Sequence, residues 1–542
     1  MMKPTQEFNC YEYLHDCVDE YGEYNALEHF GHKTSIREFL RGVDCLASFF
    51  KEELGLGRGD VFTVFLPTCA PSFTAFYALN KIGAIANFIH PLTPPQALQE
   101  TMEIVESKGI LIMDMLMKDY SDIIKKMGLP CMICSLADYA APLRRPFVKL
   151  FGTAMGRFPR GIKKRYSFAK ACRMYEPQEG VYHNARDVAV HMCGGGTTGK
   201  SKIIQLSSKA LNELIYQTRE VEFVQEPGVD ASVTALPMFH AFGMCVAMHL
   251  PMCNAVRLIP MARFNAKTFN GLMHKNKVVY LVGIPVMFRK LRKEKNFEGE
   301  HLRHLRLMFC GGDDVSEAVL DDFNECLEKW GAEGKLYRGY GLTEVASGCC
   351  VNRIGHYRPE SIGEPLLEMH MEIWDENKMR VPNGEVGEIV ITGDTVMEGY
   401  LTRERTPNDG VYIDKDGRRW VLSGDLGYED DEGFFYFSGR KKRIIIISGY
   451  NVYPKDVEGI VEELPFVREV CAVKSHTPDG KTCLKLCVCL NPDERGVDFC
   501  KQEIMKRCES ELPSYSVPRK IEILDLLPRT LMQKIDFVRL MD

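Results

Sequence analysis

Positive charge is not in excess in this chain: among 542 residues, 68 Lys and Arg stand against 74 Asp and Glu, a net charge of −6. Nucleic-acid binding driven by phosphate neutralisation needs the opposite balance, so no nucleic-acid partner is expected. The opening residues, MMKPTQEFNCYEYLHDC, lack the apolar run of a secretory leader and carry Glu7 where it would begin. A reducing, cytoplasmic setting is therefore expected for the 20 cysteines. One Cys-x-x-Cys is present, Cys131 to Cys134, without a second pair at zinc spacing. Its apolar run behind Pro130 predicts a buried strand rather than a metal or redox site. Uninterrupted membrane-length apolar helices are missing too. Val61 to Asn80 and Ala231 to Val256 carry no charge, but Pro67 and Pro71 break the first, and Pro237, His240, Gly243, His249, Pro251 and Asn254 break the second. Each reads as a buried strand followed by a buried helix, as in a parallel sheet covered on both faces.

What is present is ordinary globular material. Apolar residues make up 45% and charged residues 26%, with 45 Gly and 27 Pro, which excludes collagen-like, low-complexity and wholly disordered chains. The length corresponds to about three or four structural units, or fewer if one is large. Short apolar runs alternate with helical patterns through the first half (DVFTVFLP, PSFTAFYALNKIGAIANFI, ALQETMEIVESKGILIMD), the rhythm of an α/β fold. After residue 360 the chain turns to β-rich runs punctuated by Gly, Asn and Asp. The last hundred residues read helix (KDVEGIVEELP), strand (EVCAVKS), strand (CLKLCVCLN), helix (VDFCKQEIMKRCESEL), strand (KIEILD), a small α+β unit. In its second strand Cys483, Cys487 and Cys489 share one face by their even spacing. Four consecutive basic residues, Arg440 to Arg443, interrupt two β runs and mark the junction. Leu143 to Tyr175 holds ten Lys or Arg, no Asp or Glu, and interleaved aromatic side chains. Two readings fit it: peripheral contact with an anionic membrane surface, and a solvated excursion.

The sharpest local signal is His191-Met-Cys-Gly-Gly-Gly-Thr-Thr-Gly-Lys-Ser-Lys202. Gly194, Gly195, Gly196 and Gly199 let backbone N–H groups turn inward around phosphate oxygens. Thr197 and Thr198 add hydroxyl donors, and a lysine adds a point charge. Gly194 to Ser201 also satisfies the Walker A spacing, but a Walker loop must open a helix. Here Lys202-Ile-Ile-Gln-Leu follows and reads as a strand, so a hairpin closing over a triphosphate is expected.

The loop resembles the phosphate loop of the adenylate-forming superfamily, with Lys202 at that family's lysine position and Ser201 where proline is usual. The resemblance continues in order. Tyr340-Gly341-Leu-Thr343-Glu344 is similar to the block whose tyrosine packs on adenine, whose threonine binds the α-phosphate and whose glutamate holds Mg²⁺. Cys310-Gly311-Gly312-Asp313 resembles the adenine-side turn, and Ser423-Gly-Asp425 the block whose carboxylate takes both ribose hydroxyls. Gly439-Arg440 resembles the Gly-Arg pair at the domain junction, with Arg440 as a second ribose contact and Lys442 as the hinge. Leu527-Pro-Arg-Thr-Leu-Met-Gln-Lys534-Ile resembles the C-terminal block, which implies Lys534 as catalytic lysine, with Gln533 replacing its glycine. The implied architecture is a large N-terminal adenylation domain over 1–438, with covered β-sheets and a β-rich subdomain, a hinge at 439–443, and a small mobile α+β domain over 444–542.

Leu236-Pro-Met-Phe-His240-Ala-Phe-Gly243 bears on the substrate. Amino-acid-activating relatives place an aspartate after the phenylalanine to pair the α-ammonium. An imidazole cannot replace that buried counter-ion, so an α-amino acid would enter unpaired at a cost of several kcal/mol. Phe-His-x-x-Gly is instead similar to the acyl-CoA synthetase branch, in which the histidine lies beside the carboxylate. Gly449 and Tyr450 fall in the loop that resembles the passage for the coenzyme A arm. The implied activity is ATP- and Mg²⁺-dependent ligation of a carboxylic acid, of fatty-acid type, to coenzyme A through an acyl adenylate. The alternatives are loading of the phosphopantetheine arm of a separate carrier protein, and a non-catalytic nucleotide-binding scaffold.

Overall fold

The computed structural model describes residues 8–135, 162, 164–178, 184–193, 202–218, 226–313, 315–401, 410–447, 450–477, 481–492, 495–530 and 534–541. The chain divides into two compact units, one comprising Met1–Pro359, Gly363–His370 and Ile391–Val421, the other Glu360–Ile362, Met371–Val390 and Leu422–Asp542.

The first unit is α/β. Among the described residues it holds an eight-stranded sheet, in the order 399–401, 203–207, 188–193, 85–88, 61–65, 110–113, 131–134, 165–167. From Val188–Cys193 onward the neighbours run parallel. The uncharged run Val61 to Asn80 forms the wholly buried strand Val61–Phe65 and the helix Ala70–Lys81, every residue of which is buried. Such runs form where both sheet faces are covered. Lys81 is accommodated by Asp44, whose Oδ1 lies 2.6 Å from its Nζ. Cys131–Cys134 is a buried strand, as its apolar surroundings predict.

A nine-stranded sheet completes this unit, in the order 364–365, 347–351, 336–342, 307–310, 277–283, 230–234, 257–260, 25–29, 32–35. The six strands between Leu336–Leu342 and Asn25–His29 are parallel neighbours. The second uncharged run supplies all but the first residue of the buried strand Asp230–Thr234, then a π-helix, Phe242–His249, continuing as the short α-helix Leu250–Cys253. Among the described residues no helix is long and apolar enough to cross a membrane.

Of the basic stretch, 143–161 and 163 lie outside the described residues. Its end is built into the fold: Arg165–Ser167 pairs with Cys131–Cys134, Phe168 is fully buried, and Tyr166 packs edge-on against Phe49 with centroids 5.2 Å apart.

The second unit contains the antiparallel pairing of Asp425–Glu429 with Phe435–Arg440 and, beyond it, the α+β body. There Val467–His476, Thr482–Leu490 and Lys520–Ile523 form a three-stranded sheet in that order. Its elements match the sequence reading, because each helix carries one apolar stripe. Val457 and Val461 of Pro454–Glu462, and Cys500, Ile504 and Cys508 of Val497–Glu511, pack on Leu484, Leu486 and Val488. The alternate residues Cys487 and Cys489 face the other way, onto Cys471, Val473, Leu527 and Leu540.

Candidate active site

Three of the implicated segments stem from parallel strands of the nine-stranded sheet. The His240 segment follows Asp230–Thr234, Gly311 to Asp313 follow Leu307–Cys310, and Tyr340 and Gly341 end Leu336–Leu342. Lys277–Gly283 lies between the first two in the sheet, and all four strands point the same way. Their carboxyl ends therefore share one edge, where open α/β sheets take ligands.

Close backbone approach explains the glycines. A Cβ on Gly311 would stand 2.8 Å from the Gly339 carbonyl oxygen, and Gly312 adopts φ +78°. A Cβ on either would meet the Phe242 ring, at 3.9 and 3.7 Å respectively, so the glycine turn and the segment after His240 are neighbours. That segment is pinned by Thr68, whose hydroxyl donates to the Leu236 carbonyl at 2.7 Å and accepts from the Met238 N–H at 3.2 Å. Gly243 permits the turn into the π-helix, since a Cβ there would lie 2.0 Å from the Pro237 oxygen. π-Helical geometry of this kind is common at functional sites. His240 is half-buried beside the Phe239 ring.

Thr343 and Glu344 occupy a 3₁₀ turn, Thr343–Val345, between Leu336–Leu342 and the antiparallel Ser347–Val351. The hairpin is tight. A Cβ on Gly341 would fall 1.6 Å from the Ser347 oxygen, while Ala346 and Ser347 take φ +59° and +118°, left-handed geometry that non-glycine residues adopt at a cost. Glu344 is held by Tyr400, whose hydroxyl donates to Glu344 Oε1 at 2.7 Å, and the Glu344 carbonyl accepts from the Met397 N–H at 2.8 Å. Tyr400 lies in Gly399–Leu401, antiparallel to Ile203–Ser207, and the Nζ of Lys202 stands 4.1 Å from its ring centroid. Lys202, Tyr400 and Glu344 thus form one cluster. Val188–Cys193 and Ile203–Ser207 pair antiparallel, as expected of the strands that flank the phosphate loop. Gly194, Gly195, Gly196, Thr197, Thr198, Gly199 and Ser201 lie outside the described residues.

The remaining implicated residues belong to the second unit. Asp425 is fully buried and paired across the strands with Arg440, whose Nε lies 2.9 Å from Asp425 Oδ1. Ser423 accepts from the Asp425 N–H at 3.0 Å, and Glu388 accepts from the Gly424 N–H at 2.9 Å, which holds the strand at Gly424, where φ is +70°. Lys441–Arg443 is one 3₁₀ turn with differently anchored ends. Lys441 donates to Glu388 Oε2 at 3.1 Å, whereas Arg443 pairs with Glu458 and donates to the Ala472 carbonyl at 3.1 Å. Lys442 stands exposed between them. Tyr450, 57% exposed, stacks on Tyr515 with centroids 4.5 Å apart at 8°. Gly449 and Gln533 lie outside the described residues. Lys534 is exposed on a hairpin closed by the Thr530 N–H to Lys534 carbonyl bond at 2.8 Å, with Leu527 and Ile535 rooted on the cysteine face of the sheet.

Comparison with known proteins decides the family. The model of the AMP-binding enzymes matches residues 14–401, and that of the AMP-binding enzyme C-terminal domain matches 456–534. The chain belongs to the AMP-binding enzymes. Among similar AMP-binding enzymes is the long-chain-fatty-acid–CoA ligase of Bacillus subtilis, 27% identical over 98% of this chain and 93% of that protein. A probable 4-coumarate–CoA ligase of Dictyostelium discoideum is 27% identical over 78% of this chain and 74% of its own. In fold, the chain matches the o-succinylbenzoate coenzyme A synthetase of Bacillus subtilis in complex with ATP and magnesium ion, with TM-score 0.76 and 22% identity over 97% of this chain and 98% of that one. Within the family this AMP-binding enzyme stands with the ligases that join an acid to coenzyme A.

The donor set of this AMP-binding enzyme fits a Mg²⁺ that arrives with a triphosphate. Such an ion keeps phosphate and water ligands and needs one or two carboxylates from the protein, and Glu344 offers a hard oxygen donor whose orientation Tyr400 fixes. Sequence reading singled out Lys202 and Glu344 but not Tyr400, which touches both. The only signal for it was a Gly-Tyr pair between two β runs. Glu388 and Glu458, which anchor the turn around Lys442, were missed as well, being ordinary charged residues in their own sequence contexts.

Proposed function

We propose that this chain activates a carboxylic acid, of fatty-acid type, as its acyl adenylate and transfers the acyl group to coenzyme A. The observation that carries the substrate class is His240, where amino-acid-activating relatives have a counter-ion carboxylate. It emerges from the strand edge shared with the glycine turn. Its neighbours Phe239, Met238 and Met244 are buried and apolar, and the full-length relatives include long-chain-fatty-acid ligases.

In the first half-reaction a carboxylate oxygen attacks the α-phosphorus of ATP, the α–β phosphoanhydride breaks, and pyrophosphate leaves. Lys202 and the phosphate loop hold the departing phosphates, Tyr340 and the Gly311–Gly312 turn take the adenine, and Thr343 donates to the α-phosphate. Asp425 accepts from the ribose hydroxyls, with Arg440 beside it. Mg²⁺ held by Glu344 would neutralise triphosphate charge, and Lys534 stabilises charge building at the α-phosphate. In the second half-reaction the thiol of coenzyme A loses its proton and attacks the acyl carbon, and AMP leaves. Gly449 and Tyr450 belong to this step. A hinge at Lys442 is supported by the independent anchoring of Lys441 and Arg443, which leaves one residue between two fixed ends.

Carboxylate-dependent pyrophosphate exchange across short, medium, long and aromatic acids and the free amino acids tests the reading. Exchange should be strongest with fatty acids and supported least by amino acids. An amino acid outperforming every fatty and aryl acid would overturn it. Thioester formation with coenzyme A but not with a phosphopantetheinylated carrier is the expected acceptor result, and the reverse would make the carrier the acceptor.

A further inference from the structure

Tyr400 touches two of the implicated ATP-side groups of its unit, Glu344 and Lys202. Its hydroxyl donates to Glu344 Oε1 at 2.7 Å, and its ring lies 4.1 Å below the Lys202 ammonium. The tyrosine is itself fixed. Its backbone is paired with Ile204, two residues beyond Lys202, and Gly410 at φ +86° packs so closely that a Cβ there would lie 2.1 Å from the ring. The neighbouring chain is clamped too: the Met397 N–H donates to the Glu344 carbonyl at 2.8 Å, and the Glu398 N–H to the Gln205 carbonyl at 2.8 Å. Arg419 closes the arrangement by donating to the Met397 carbonyl at 2.7 Å and to Glu398 at 2.9 Å.

We propose that Tyr400 is a positioning residue for nucleotide binding, coupling the metal-side carboxylate to the phosphate-side lysine. A phenol bonded to one carboxylate oxygen restricts rotation of Glu344, so the carboxylate meets an incoming cation already oriented. A cation held over an aromatic face is partly desolvated and confined, which keeps Lys202 near the triphosphate path. The two contacts act on different ligands, so they separate experimentally. This inference rests on the assignment of Glu344 to Mg²⁺ and Lys202 to phosphate.

The test is calorimetric titration of the full-length protein with ATP, in EDTA and over a Mg²⁺ series, for the native chain, Tyr400→Phe, Tyr400→Leu and Glu344→Gln, with thermal unfolding as a check on folding. Tyr400→Phe keeps the ring and removes the hydroxyl. It should leave ATP affinity in EDTA unchanged while raising the Mg²⁺ needed for tight binding roughly tenfold, the scale of one hydrogen bond to a charged group. Tyr400→Leu should show the same Mg²⁺ effect and, in addition, weaken ATP binding in EDTA by about threefold, the scale of an exposed cation–π contact. A Tyr400→Phe protein with native Mg²⁺ dependence, while Glu344→Gln loses it, would overturn the positioning role and leave the metal assignment standing. Native Mg²⁺ dependence in Glu344→Gln would instead remove the assignment beneath it. Equal EDTA affinities for Tyr400→Phe and Tyr400→Leu would overturn the ring's part. A uniform loss in every condition that tracks a lowered melting temperature would show that the tyrosine serves only the fold.

Discussion

The implicated residues of the two units are held in different ways. In the first unit Gly311, Gly341 and Glu344 are fixed by backbone: strand ends, a hairpin with two residues at positive φ, and glycines against which another chain segment lies within van der Waals distance. In the second unit Lys442, Tyr450 and Lys534 are exposed, on turns or a short edge strand, and their support comes from a few side-chain anchors and from apolar packing beneath. Asp425, fully buried, is the exception there. Under the proposed assignment, the groups that meet the nucleotide in the first unit lie at sheet edges, whereas the groups proposed for single steps lie on exposed segments of the second.

That contrast breaks first at Lys534. Lys534→Ala should slow adenylate formation about 10²–10³-fold, the usual loss for one preorganised donor, while a supplied acyl adenylate plus coenzyme A is converted at nearly the native rate. Equal losses in both half-reactions would mean that the lysine serves both steps or the fold.

Acid should separate the units next. The first unit buries His29 and His191, each pushed down to about 4 by loss of solvent, and His249, pushed down to about 3. Below about pH 6.5 the unfolded chain takes up protons that these folded imidazoles refuse. Their contribution is therefore complete above that pH and is lost progressively down to the folded values, on the order of a few kcal/mol per buried histidine before relaxation. Hydrogen exchange followed between pH 7 and 4 should show amides of the first unit losing protection earlier. Simultaneous loss in both units would count against this.

Two glycines sharpen the comparison at a smaller scale. Gly341→Ala drives a Cβ into the Ser347 oxygen and should destabilise by about 1–3 kcal/mol or more. Gly439→Ala meets nothing within 4 Å and bears only the strain of φ +145°, about 1 kcal/mol. Urea denaturation of both variants measures the difference. A Gly439 variant as unstable as the Gly341 one would show that the second unit is no more open at this strand than the first is at its hairpin.

Much of this architecture was legible because periodic signals were strong. Val457 and Val461, and Cys500, Ile504 and Cys508, fall on single helix faces, and Cys487 and Cys489 alternate with Leu484, Leu486 and Val488 as a two-faced strand must. The uncharged run around Pro67 could be read as strand and helix because its prolines break it at the turn. Contacts between distant strands left no such trace. Tyr400 meets Glu344 across 56 positions, and neither residue's neighbours announce the other. The run after Pro237 reads as helical, but nothing in its periodicity announces the π-helical winding or the close approach of Gly243 to the Pro237 carbonyl. The end of the basic stretch reads as surface from its charge, yet Phe168 is buried, because the adjoining Arg165–Ser167 extends a sheet edge that composition does not reveal.

The cysteines of the α+β body have one further consequence. Cys471, Cys483, Cys487, Cys489, Cys500 and Cys508 are all buried, and burial pushes the Cys471 thiol upward and that of Cys508 to about 11. Alkylating reagents attack thiolates that solvent can reach, so these six should react only when the body opens. Timed labelling followed by mass spectrometry would therefore read the lifetime of that fold directly, in a protein whose sequence needs no added probe.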